Sequence, residues 1–417
     1  MKPHDIDVLR GLGEYMVKLA KHPLNLERKK LWYKLDECSP ERPMILIHPL
    51  TYTKGKDAPV KSMLQCEDEF PRAVELDLRN QVYCFEKLRD DHVIEPYINL
   101  KWNIKSSGYG VSAVSHSAST EAGGIGAKSW EPPIKNLDKD FGLLKPRSFS
   151  IDREGTLKQK EILEAVFKDV LPVRIHGRYG DGARLTDKVI TLVGLENFMF
   201  LMYDNPEGIH RLMCFLRNDL LNYVRWLEGE NIYSLNNGND TIGSGSIGYT
   251  KFLPQADWKP GDKVRMKDKW YFADAQETVG VSSEMFEEFV LPYIVDVTKN
   301  FGRVYHGCCE PLQDSIKVII KKIRNLKRVS VSPWANEEIM ARELGNSFVY
   351  SRKPNPTLIS TNVFNEDLIR KDLQHTLSVA KDCSLEIIMK DIITLQNQPK
   401  RAARWVEIAF EEINKIF

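Results

Sequence analysis

The chain has no excess of charge of either sign: 59 basic side chains against 58 acidic ones leave a formal net charge of +1 over 417 residues. No overall field therefore draws it to nucleic acid or to an anionic lipid surface, and any anionic ligand has to be met locally. It also lacks an apolar run long enough to cross a bilayer. Its opening, MKPHDIDVLRGLGEYMVKLAKH, is amphipathic and mixed in charge, without the apolar core of a secretion signal. A cytoplasmic protein is expected. The seven cysteines (Cys38, Cys66, Cys84, Cys214, Cys308, Cys309, Cys383) are scattered and odd in number, which argues against a disulfide framework and for reduced thiols. Repeats of solenoid length are missing, as are phosphate-loop and dinucleotide glycine signatures. GSGSIG, from Gly243, follows no strand-to-helix junction.

What is present is ordinary core-forming composition, 42% hydrophobic and 28% charged, and one concentration of reactive groups. That concentration is RVYHGCCEPL, Arg303 to Leu312, where an apolar lead delivers His306, Cys308, Cys309 and Glu310, with a helix expected to open at Pro311. Side chains alternate faces along a strand, so His306 and Cys308 are expected on one side, as a chelating or catalytic pair. Histidine nitrogen and cysteine thiolate are both good zinc ligands, and Glu310 adds a carboxylate. Adjacent cysteines also serve as small buried hydrophobes, and a lone histidine as a core residue, so packing is the competing reading.

Residues 1–42 form a helical extension, with Ile6, Leu9, Leu12, Met16 and Leu19 at helical spacing before the break at His22–Pro23. From Pro43 onward short apolar runs alternate with helical stretches: RPMILIHP, YINLKWNI, LPVRIHG, IYSLNN, KWYFADA, RVYH, LKRVSVSP, FVYS and LEIIMKD. Eight or nine strands, each followed by helix, predict an α/β chain closed as a (β/α)8 barrel over residues 43–417. Within it, residues 105–150 lose periodicity in a Ser/Gly-rich insertion, expected to be a loop or a lid at the barrel mouth.

Barrels of this kind place their chemistry at the carboxyl ends of the strands. Those ends carry His48, His176, Asn236 and Asn237, then Asp274, Gln276 and Glu277, then the His306–Glu310 run. Ser332 and Trp334, Lys353 and Asn355, and Lys390 and Asp391 follow. Cys383 precedes the last strand and falls at the opposite end.

ADAQETVGVSSEMFEEFVLPY, followed at strand distance by VYHGCCEPL, resembles the uroporphyrinogen decarboxylase superfamily, in which an acidic residue after a strand, a helix opening of the SPE-F-EF-P type and an H-CG strand recur. Ser283 stands where that family usually has proline. The likeness covers most of the chain, and its sharpest motifs lie between Trp270 and Pro333. It implies a (β/α)8 barrel that is either a decarboxylase or a zinc-dependent methyltransferase working with a corrinoid (cobalamin) protein.

Two departures bear on that choice. The stretch after the first strand, HPLTYTKGKDAP, has lysines but not the arginines that hold a polycarboxylate porphyrinogen. The position after the last strand reads MKDIITLQ, where the methyltransferase branch has a cysteine. The resemblance therefore implies a metal-dependent methyltransferase moving a methyl group between a corrinoid protein and a small-molecule substrate. His306, Cys308 and Cys309 would be metal ligands, and Cys309, Glu310 or Asp391 would supply the third position. Asp274, Gln276, Glu310, Lys390 and Asp391 are the catalytic candidates. His48, His176, Asn236, Asn237 and Trp334 are the substrate candidates. A homodimer fits the same expectation. The alternatives are a metal-free decarboxylase or lyase using Asp274 as its acid, and a non-catalytic binding barrel.

Overall fold

The runs rich in Val, Ile, Leu and aromatics are strands buried on both faces, and they assemble as parallel neighbours. The computed structural model describes residues 1–117, 128–177, 179 and 182–417. Its strands in chain order are β1 (Met44–Ile47), β2 (Ile98–Leu100), β3 (Asn103–Ser106), β4 (Val114–Ser117), β5 (Lys128–Glu131), β6 (Phe149–Asp152), β7 (Val173–Ile175), β8 (Thr241–Gly243), β9 (Ser246–Ile247), β10 (Trp270–Ala273), β11 (Arg303–His306), β12 (Leu326–Val331), β13 (Val349–Arg352) and β14 (Ser384–Met389). Six of them form one parallel sheet in the order β1-β14-β13-β12-β11-β10. β2 and β7 pair in parallel as a separate two-stranded unit.

The eight-stranded ring that the alternation predicts is thus hydrogen-bonded over six strands. IYSLNN, expected as a strand, runs without strand pairing. Side chains cover the two edges of the sheet instead. The carboxylates of Asp90 and Asp91 accept the backbone N–H groups of Ile47 and Ile45 along β1. On β10, the Asn236 amide both donates to the Trp270 carbonyl and accepts its N–H, and Ala183 bridges to Ala273. An uncovered edge is a site of promiscuous pairing, so these polar residues also protect the sheet.

Alternation sorts the strand residues into two faces. Ile45, Ile47, Val304, Val329, Val331, Tyr350, Leu385 and Ile387 join one large cluster with residues of the surrounding helices. Met44, Leu46, Val349 and Ile388 pack on the other face with Leu31, Trp32 and Leu35 of the helix Pro23–Asp36. That helix floors the amino ends of the strands, so part of the 1–42 extension contributes to the core of the sheet. The first helix, Pro3–Ala20, packs with helices Glu69–Tyr83 and Arg153–Phe167 in a smaller cluster.

The 105–150 insertion is more structured than its composition predicts. β3 pairs antiparallel with β6 at its base and β4 with β5 farther out, and the Arg147 guanidinium reaches Asp219 of the helix Pro206–Gly229. Residues 118–127, at the heart of the expected loop, lie outside the described residues. Two further local differences have plain causes. The helix expected at Pro311 opens at Ile316, after a turn, and the serine standing in for proline is the first residue of the helix Ser283–Phe289, which Ser282 caps from the Met285 N–H.

Candidate functional site

The hairpin β8–β9 is what GSGSIG encodes. It enters the inner face of the sheet, and its glycines are needed for close approach: a Cβ on Gly243 would lie 2.5 Å from the Tyr305 ring, and one on Gly245 would lie 2.9 Å from the His48 ring. The hairpin tip divides two polar regions.

On one side stands Cys308. The Ser244 hydroxyl lies 3.8 Å from its sulfur, the Lys390 ammonium 3.6 Å and the Cys309 thiol 3.6 Å. Its backbone N–H donates to Glu310, whose other carboxylate oxygen accepts the Ala275 N–H. A hydrogen bond from Cys309 and the positive charge of Lys390 pull the Cys308 thiol down to about 5 against the effect of burial, while Cys309 is pushed well up as the proton donor of the pair. Burial would lower Lys390, but Cys308 and Asp391 outweigh it and raise it above its ordinary value; Asp391 sits 2.9 Å from the ammonium.

Behind this group lies Asp274, fully buried, 3.2 Å from Arg184. Burial, and then the neighbouring Glu310 carboxylate, push Asp274 up to about 8 despite that arginine, and burial raises Glu310 as well. At neutral pH Asp274 therefore holds a proton.

His306 is not part of this group, which corrects the alternation argument. Gly307 adopts φ +92, in the left-handed region, and breaks the strand geometry between His306 and Cys308. Val304, on the same face of β11 as His306, belongs to the helix-packed cluster, whereas Cys308 packs with Tyr305, Phe272 and Trp270 on the inner side. His306 is fully buried, neither ring nitrogen has a hydrogen-bond partner, and burial alone lowers it to about 4. Among the described residues no three His, Cys, Asp or Glu side chains stand together as a metal site. The His306, Cys308 and Cys309 set is thus not assembled as zinc ligands, and no step below is routed through a metal.

On the other side of the tip is a cavity of about 570 Å³ in the gap between β1 and β10. It is lined by three of the substrate candidates, His48, His176 and Asn236. His48 Nε2 lies 3.0 Å from the Gly245 carbonyl, and burial and the nearby His92 depress it to about 4. His176 pairs with Asp240. The other two substrate candidates lie elsewhere: the Asn237 amide donates to the Leu253 carbonyl, and Trp334 is 66% exposed on the loop after β12. Gln276 sits in the short turn after β10, beside Glu277, which accepts from Thr186.

Sequence reasoning missed Ser244, Arg184 and the His92–Asp90 pair, in which the ring nitrogen is 2.7 Å from the carboxylate. It also missed an inner-face network: Arg328 reaches Asp36, Ser246 and Glu386, and Glu386 in turn holds Ser351, which meets Lys353 and Tyr305. A charged residue inside an otherwise apolar strand, as in LKRVSV and LEIIM, was the available signal.

No family model matches the chain, and no curated protein matches it in sequence. Among solved structures, a methyltransferase from Methanosarcina mazei is similar in fold, with a TM-score of 0.50 and 9% identity over 92% of this chain and 98% of that one. At that identity the likeness shows the fold: an α/β chain around a central parallel sheet.

Proposed function

We propose that the chain is a methyltransferase whose reacting centre is the Cys308 sulfur, with the inner strands arranged as a (β/α)8-type barrel. The observation that carries this reading is the thiol itself, held between Lys390, Ser244 and Cys309 at a strand end. A cysteine is a competent nucleophile as the thiolate, and a neighbouring cation stabilises that form. The thiolate attacks a methyl carbon; the S–C bond forms as the bond to the donor breaks, and that bond's electron pair leaves with the donor. Lys390 holds the sulfur charge before attack and is left with Asp391 after it. The methyltransferase similar in fold agrees with this reading, as does the superfamily resemblance, which supplies its finer form: transfer between a corrinoid protein and a small molecule.

The test is incubation with methylcobalamin followed by intact-mass and peptide analysis. A single methyl group on Cys308, absent from Cys308→Ser, is expected; an unmodified wild-type protein, or a methyl group that persists in Cys308→Ser, would overturn the proposal. Zinc measured by elemental analysis in both proteins decides the metal-centred version: near-stoichiometric zinc lost on Cys308→Ser would make the sulfur a ligand rather than the acceptor.

A second reading rests on Asp274. A buried carboxylic acid that keeps its proton at neutral pH is suited to protonate a carbanion left by decarboxylation, with Arg184 at its side.

A further inference from the structure

Two of the seven cysteines are neighbours in the chain, and the turn after β11 sets their sulfurs side by side. On a continuing strand Cys308 and Cys309 would project to opposite faces. Instead Gly307, at φ +92, turns the chain. Glu310, which accepts the Cys308 and Ala275 N–H groups, and the Ser330 hydroxyl, which donates to the Cys308 carbonyl, hold that turn in place. The two Sγ atoms lie 3.6 Å apart, and both side chains are half-buried rather than sealed in the core. Lys390 stands 3.6 Å from the Cys308 sulfur, and the hydrogen bond from Cys309 together with that ammonium favours its thiolate, the form that attacks a peroxide. Methyl transfer needs one sulfur and leaves the second without a task of its own.

We propose that Cys308 and Cys309 close into a reversible vicinal disulfide when a hydroperoxide reaches them, and that this bond takes the Cys308 sulfur out of reaction until a thiol reduces it. The Cys308 thiolate attacks one peroxide oxygen; an S–O bond forms, the O–O bond breaks, and the hydroxide or alkoxide released takes a proton from solvent. Cys309 then gives up its proton and attacks the Cys308 sulfur. The S–S bond forms, the S–O bond breaks, and the hydroxide leaves with that proton as water. Each sulfur is oxidised by one electron and the peroxide is reduced by two. Neighbouring Cα atoms are about 3.8 Å apart across a trans peptide, whereas ordinary disulfides hold theirs about 4.4–6.8 Å apart, so the ring is strained and the bond readily reduced. Strained or exposed disulfides are the labile, regulatory kind rather than staples. The bond also spares Cys308 the irreversible higher acids, because a thiol 3.6 Å away captures the sulfenic acid first. That oxidation silences methyl transfer rests on the function proposed above; the bond itself does not.

The test is treatment of the reduced full chain with a small excess of hydrogen peroxide, then alkylation with iodoacetamide and mass analysis of the intact chain and of the tryptic peptide 304–317, which holds both residues. The peptide is expected to be lighter by two hydrogens and alkylated at neither cysteine, and dithiothreitol should restore both alkylations. Cys309→Ser removes the resolving thiol, so dimedone should trap sulfenic acid on Cys308 at least about tenfold more than in the wild type. A peptide still alkylated at both cysteines, a Cys308 that runs on to sulfinic acid with Cys309 alkylated, a disulfide to another cysteine or another chain, or equal dimedone labelling of the two proteins would each overturn the proposal. Should the serine variant not fold, the wild-type peptide still decides. Methylcobalamin labelling of Cys308 should vanish on oxidation and return with dithiothreitol. Labelling that survives full bridging would overturn the switch, while a reduced chain that takes no label but still bridges its two cysteines removes the methyl-transfer reading and leaves the disulfide standing.

Discussion

The inner face of the sheet carries charge at two levels, and the two levels are built differently. At the level of the floor, Arg328 is fully buried, and it stands 3.3 Å from Asp36 and 3.4 Å from Glu386, with further bonds to the Ser246 hydroxyl and the Ile247 carbonyl. At the strand ends, Cys308 and Asp274 are moved far from their ordinary values, and burial raises Glu310, whose carboxyl neighbours that of Asp274. Charges of opposite sign held against one another fix geometry, whereas shifted ionisation marks groups kept ready to exchange protons or attack. The same inner face therefore holds a scaffold below and chemistry above, and what separates them is opposite charge facing opposite charge in the floor against carboxyl facing carboxyl at the strand ends.

The largest effect should come from breaking the floor. Arg328→Met removes the cation between Asp36 and Glu386, leaving Asp36 with Arg303 and Glu386 buried without its arginine, and a broken buried pair costs roughly 3–5 kcal/mol. Chemical denaturation should show a loss of that size, with any residual folded protein still alkylated at Cys308. A loss below about 1 kcal/mol would mean that the network is not structural and would erase the contrast between the levels.

The legible part of the fold was the part set by local pattern. Apolar runs such as MILI and SLEIIM have to be buried strands, and the helices between them make the neighbours parallel. The strand ends likewise marked Asp274, Cys308 and Lys390 as candidates, and the structure gathers them. What was not legible depended on backbone states and on long-range partners. Gly307 at φ +92 cancels the two-residue rule that joined His306 to Cys308, and sequence does not show which glycine will do so. GSGSIG carried no strand signal, because its role is to fit between Tyr305 and His48, residues that the fold alone brings to it. Lys269 opens the run KWYFADA as an ordinary charged residue; that it is buried, with its ammonium on the Ser234 carbonyl, is visible only in three dimensions.

A middle-sized effect should appear at Asp274, and its sign follows from linkage. The carboxyl is raised from an ordinary value near 4 to about 8, so between those values the folded state holds a proton that the unfolded state has released. Its contribution to stability is complete below about pH 4 and is lost as the pH rises to 8. Asp274→Asn, which keeps the shape and cannot ionise, should match the wild-type melting temperature at pH 4 and exceed it at pH 8. Activity should fall at least tenfold, the low side of general acid–base effects. Parallel melting curves for the two proteins across that range would show that Asp274 ionises normally.

The smallest effect is expected at His306, and it sharpens the comparison from a third position, outside both levels. The ring is buried on the helix-facing side of β11 without a hydrogen-bond partner, and burial lowers it to about 4, against an ordinary value of 6.5. In the window between those values the unfolded chain binds the proton and the folded chain does not, so stability present above pH 6.5 is lost as the pH falls toward 4. His306→Leu retains an apolar body and removes the titration. It should leave the neutral-pH melting temperature within a few degrees and Cys308 alkylation unchanged, while softening the loss of stability on acidification. A large drop in Cys308 reactivity or in bound zinc on this substitution would instead return His306 to the site and restore the pairing that alternation along the strand predicts.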